Sequence, residues 1–147
     1  MQLLIYWNIF ADANSDQKCR KLIEKFESAI GMALKDATIE RYWKDKALFK
    51  VHALSRLDIQ SNKDGFFTVM TKAGQLFRTW IIKPPSEEWP WQFGATSQAA
   101  SGRIPGIDSV FFEAEVANDP RASEIVHAPL ASRAPIGPPD AGSTVEQ

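Results

Sequence analysis

The sequence predicts an α+β domain, and three observations carry that prediction. LLIYWNIF, from Leu3 to Phe10, is rich in β-branched and aromatic residues and gives way at once to a stretch with apolar residues at helical spacing. That succession of strand-like and helix-like patterns recurs once more before residue 84. Finally, 147 residues that are 44% hydrophobic and 24% charged supply one packed core and too little chain for two.

Leu3–Phe10 is apolar on both faces apart from Asn8, as a central strand under a layer of helices requires. In NSDQKCRKLIEKFESAIG, Asn14 and Gln17 have capping-box spacing and Gly31 supplies a stop. Cys19, Leu22, Ile23, Phe26 and Ile30 fall on one stripe of that helix. Thr38 to Lys44 alternates, a KDK turn follows, and Phe49, Val51, Ala53 and Leu57 alternate with Lys50, His52 and Arg56 as a hairpin partner. SNKDG, residues 61–65, reads as a turn.

GFFTVMTKAGQLF sets two signals against each other. FFTVMT favours a strand by propensity, whereas Phe66, Val69, Met70, Ala73 and Phe77 repeat at helical spacing over three turns. The length of the run predicts a helix, ending near Gly74. Phe77 to Lys83 is a further strand, closed by Pro84-Pro85. An irregular proline-rich loop leads to the alternating strand from Ile107 to Ala117. The order β-α-β-β-α-β predicts a ferredoxin-like sandwich with an additional C-terminal strand. Residues 1–117 form its single domain, and the proline-, alanine- and serine-rich residues 118–147 read as a disordered tail.

The formal net charge of −1 announces neither a nucleic-acid binder nor an acidic mimic. One cysteine, Cys19, rules out an intramolecular disulfide framework and fits a reducing compartment. The apolar start lacks the basic residues, cleavage site and length of a signal peptide or membrane span, so the expected location is cytoplasmic.

Candidate chemistry is sparse. His52 and His127 lie far apart in sequence and Cys19 sits on an apolar stripe, so no metal site is expected. SNKDG would need ligands at Gln60 and Thr71 to act as a calcium loop, and neither fits. His52 lacks the partner motif of a catalytic base and reads as a solvated strand histidine. Glu113 and Glu115 share one strand face, as acid/base work could use, but read as decoration of an exposed edge. No cofactor is expected, and the chain is read as non-enzymatic.

What remains is PPSEEWPWQFG, residues 84–94. Trp89 and Trp91 flank Pro90, so their backbones are extended, and Glu87 and Glu88 precede them. Both rings can close an open end of the core, or at least one can be presented to a partner, since interfaces favour tryptophan anchors ringed by polar groups. The predicted partner contacts are Glu87, Glu88, Trp89 and Trp91, with Asp45 in the hairpin turn.

The order of LLIYWNIF, LIEKFESAIG, ATIERYWKDKALFKV, RTWIIKPP, the loop WPWQFGATSQAASGRIPGI and VFFEAEV resembles the immunity proteins of bacterial contact-dependent growth inhibition and related polymorphic toxin systems. The resemblance covers roughly residues 3 to 117. It implies a non-catalytic protein that binds one cognate toxin C-terminal domain, often a nuclease, and blocks its active site or access to substrate. It implies no direct contact with nucleic acid or membrane. Inhibitors of basic nucleases are often markedly acidic; here a local patch of Asp12, Asp16, Glu87 and Glu88 would have to provide the steering. The alternative reading is a small dimeric α+β barrel enzyme or ligand-binding protein of the antibiotic-monooxygenase type, with His52 and Trp43 lining a pocket. RNA binding on the sheet face is a third, for which Lys50 and Arg56 are a thin supply of charge.

Overall fold

The computed structural model describes residues 1–117. The expected tail from Asn118, with His127, lies outside the described residues. The fold is α+β: β1 (Gln2–Asp12), α1 (Asp16–Ile30), β2 (Lys35–Arg41), β3 (Leu48–Asp58), α2 (Asn62–Ala73), β4 (Trp80–Lys83), β5 (Gln92–Ser97) and β6 (Ile107–Val116). The six strands make one antiparallel sheet in the order β2-β3-β1-β6-β5-β4.

β1 lies inside the sheet, paired along its length with β3 and β6. Its odd-numbered residues Leu3, Ile5, Trp7, Ile9 and Ala11 enter the core with the helices. Trp7 anchors that layer, its ring 5.2 Å from Phe26 and 4.9 Å from Phe112. Its Nε1–H donates to Ser55 Oγ at 3.0 Å, and Ser55 in turn donates to the Ala33 carbonyl. This buried ring therefore keeps its polar edge satisfied.

α1 buries the five residues of its expected stripe and ends at Gly31, whose φ of 67° only glycine adopts without strain. Its N-cap is Ser15, which accepts from the Lys18 N–H, and not the expected Asn14. No basic residue stands in its last turn; α2 supplies one, as Lys72 Nζ donates to the Ile30 carbonyl at 2.9 Å.

Residues 66–73 are helical, as their spacing predicts. The helix also takes in SNKDG, expected as a turn: Ser61 is the N-cap and accepts from the Asp64 N–H. The residue types that make turns are those that cap helices, because both jobs need a short side chain bonding to nearby backbone.

Two strands depart from expectation. Gln92–Ser97, read as loop, is β5, paired with both β4 and β6. And β4, the strand after the second helix, is the outermost one. The place beside β1 belongs to β6, the last strand. Among the described residues, no helix is long and apolar enough to cross a membrane.

Candidate protein-binding surface

The 84–91 connection is held at several points. Pro84-Pro85 end β4 because proline has no N–H for the ladder. Ser86 Oγ then accepts from the Trp89 N–H at 2.9 Å, closing a tight turn. The Pro90 carbonyl accepts from Asn62 Nδ2 at 2.8 Å, tying the loop to the start of α2. The Trp91 carbonyl accepts from the Val116 N–H at 3.0 Å, tying it to the end of β6.

Between these anchors the two tryptophans part company. Trp91 is 2% exposed and belongs to the core, whereas Trp89 is 42% exposed. Their rings lie 5.0 Å apart at 57°. Trp89 therefore rests on a buried platform with much of its surface free, and Glu87 and Glu88 beside it are exposed. The expectation that Trp91 is a partner contact is corrected: its ring closes the core, as one of the two sequence readings allowed.

Asp45 does not join this group. It lies in the β2–β3 turn, where its Oδ1 accepts from the Ala47 N–H. That turn sits at the Asp12 end of the sheet, because Leu48 pairs with Asp12. Gln92, next to Trp91, pairs with Glu115 at the level of Leu4. About eight residues of strand, roughly 26 Å, separate the two ends. Asp12 and Asp16 lie with Asp45 at the far end, so the four acids expected to steer together form two separate groups.

The sheet face away from the helices carries a row that sequence reasoning missed. Register aligns Thr38, His52, Asn8, Phe111 and Thr96 across β2, β3, β1, β6 and β5. Among the described residues, no helix covers this face. His52 is half-buried rather than solvated, and its Nδ1 and Thr96 Oγ1 are buried without a hydrogen-bond partner in the described residues. Burial, and then the Lys50 charge, hold the imidazole pKa below its ordinary value, with Glu40 opposing. Glu115, expected on an exposed edge, is fully buried, because β6 runs inside the sheet. Asn8 in an apolar run was the available signal for this row.

Of the residues expected to line a pocket, Trp43 is 75% exposed on the turn after β2. An open groove of about 370 Å³ lies elsewhere, at the Asp12 end, lined by Asp12, Phe77, Arg103, Gly106 and Asp108 among others. Arg103 Nε there donates to the Gly74 carbonyl at 2.7 Å. Cys19 is buried, which with the neighbouring Asp16 raises its thiol pKa despite Arg20; it is packing rather than a nucleophile. Among the described residues no group of three or more metal-ligating side chains comes together. Compared with family models, curated proteins and solved structures, the chain matches none.

Proposed function

We propose that this chain is a non-catalytic binding module of the immunity type, which neutralises a toxin domain in the cytosol by tight protein–protein contact. The observation that carries the reading is Trp89, a large ring held on the buried Trp91 in a pinned loop beside two exposed acids. Such an arrangement presents aromatic area without ordering a mobile side chain first, which is how interface anchors gain their affinity. Glu87 and Glu88 would supply the polar rim and the attraction for a basic partner such as a nuclease. On this reading the fold is a ferredoxin-like core whose fourth position is filled by β6, while the β4–β5 hairpin extends the sheet and carries the contact loop.

The test is co-expression with the C-terminal domain of a toxin encoded beside this gene. The reading predicts that host cells survive with the wild-type chain and die with Trp89→Ala. Death in the presence of the wild-type chain overturns it.

A second reading draws on the row of His52, Asn8, Phe111 and Thr96, whose buried polar atoms could receive a small organic ligand on the sheet face. It suits the dimeric α+β barrel alternative. The space between helices and sheet, by contrast, is filled by Trp7, Phe26 and Phe112.

A further inference from the structure

We propose that a second copy of this chain docks on the free edge of β4, antiparallel and centred on Ile81, so that two sheets continue as one. The proposal stands independently of the toxin-binding reading.

The two edges of the sheet are built differently. β2 carries Lys35, Asp36, Glu40 and Arg41, breaks register between Lys35 and Thr38, and turns Asp36 to a φ of 54°. Charges and bulges of this kind stop an edge from recruiting another strand. β4 has no bulge and reads Trp80-Ile81-Ile82-Lys83, with Ile81 63% and Ile82 44% exposed. It is also held in place, since Trp80 Nε1–H is shared between the Ala73 and Phe77 carbonyls, each at 3.0 Å.

Backbone parity selects the register. The Gln98 N–H donates to the Thr79 carbonyl at 3.0 Å, and the pairs Trp80–Ser97, Ile81–Thr96 and Ile82–Ala95 follow. In an antiparallel ladder, successive residues turn both backbone groups alternately to one neighbour and to the other. Thr79 and Ile81 therefore face β5, while Trp80 and Ile82 turn their N–H and C=O groups to the outer edge, which no strand among the described residues pairs. Centring the pair on Ile81 sets Trp80 of each copy against Ile82 of the other and uses all of those groups. Centring on Ile82 would set Trp80 against Pro84, which has no N–H. Centring on Trp80 would need the Arg78 N–H, which already donates to the Ser101 carbonyl at 2.8 Å.

Side chains and charges agree with this choice. Ile81 meets its own copy on one face, and Trp80 meets Ile82 on the other, a favourable aromatic–β-branched pair. The chain enters β4 past Arg78, with Arg103 alongside through its N–H to the Leu76 carbonyl, and leaves toward Glu87 and Glu88. Lys83 stands at the exit of β4, but Glu87 and Glu88 beyond it leave that end net acidic, and antiparallel pairing directs it toward the basic end of the other copy.

Sedimentation equilibrium of the full chain from about 1 μM to about 1 mM reads the association directly. A concentration-dependent dimer is expected. Ile81→Lys sets like charges against each other across the two-fold axis and should weaken the dimer about tenfold or more, with melting unchanged because the site is exposed. Ile81→Cys should oxidise to a covalent dimer: residues facing each other at that position have Cα atoms about 4.5 Å apart, within disulfide range, and Cys19 is buried. A wild-type chain that stays monomeric throughout, whether or not another protein's strand takes the edge, overturns the proposal. So does a dimer that Ile81→Lys leaves intact, or an Ile81→Cys chain that fails to cross-link.

Discussion

Trp89 and Trp91 touch, ring centroids 5.0 Å apart, yet one is 42% exposed and its neighbour 2%. That contact divides the loop into a part that serves the fold and a part free to serve a partner. Trp91→Ala should therefore destabilise the protein by about 3–5 kcal/mol, as removal of a buried ring does. Urea unfolding of the variant measures it. A loss below about 1 kcal/mol would place the ring outside the core.

Ser55 matters through Trp7. Its Oγ accepts the only ring N–H of a fully buried tryptophan at 3.0 Å and passes a hydrogen bond to the Ala33 carbonyl. Ser55→Ala removes little volume but leaves that N–H unsatisfied, so the expected cost is about 1–3 kcal/mol in chemical unfolding. A neutral substitution would show that the network is not holding Trp7.

Gly106 is bound to be glycine for two separate reasons. Its φ is 95°, and a Cβ there would stand 2.8 Å from Leu22 Cδ2 and 3.0 Å from Cδ1. Its carbonyl meanwhile accepts from the Asp12 N–H at 2.7 Å, tying the β5–β6 loop to the end of β1. Gly106→Ala should cost about 2 kcal/mol or more. Adding Leu22→Ala should return the overlap part of that cost, so the double variant loses less than the two single losses combined. Strict additivity would assign the whole effect to backbone strain.

His52 gives stability a pH dependence of determinable sign. Burial and Lys50 favour the neutral ring in the fold, so its folded pKa lies below the ordinary 6.5 of the unfolded chain. Between those two values the unfolded state binds more protons. Stability contributed by the neutral ring is therefore whole above 6.5, falls as pH drops through that window, and levels off below the folded pKa. His52→Gln should lose less stability than wild type as pH falls below 6.5. Parallel curves for the two proteins would mean that the ring is solvated after all.

The sequence was readable wherever local pattern decides structure. α1 follows from its stripe and Gly31, and α2 from the spacing of Phe66, Val69, Met70 and Ala73, although FFTVMT alone favours a strand. β5 was not readable, because Gln92–Ser97 follows two tryptophans and three prolines and contains Gly94. It is a strand by virtue of lying between β4 and β6, with Phe93 and Ala95 packed in the core. Glu115 looked like edge decoration for the same reason: whether β6 is inner or outer is a property of strand order, which no window of residues contains. The separation of Asp45, Asp12 and Asp16 from Glu87 and Glu88 likewise appears only once the strands are laid side by side. What the loop did announce was its aromatic content, and there one ring of the two was assigned to the wrong side of the surface.

The measurement that bears most directly on the proposed function is the affinity of Trp89→Ala for the neutralised toxin domain, compared with wild type by calorimetric titration. The account predicts a loss of about 2 kcal/mol or more, roughly thirtyfold in Kd, with an unchanged melting temperature. Equal affinity for the two proteins, or a variant that unfolds as Trp91→Ala is expected to, would contradict it.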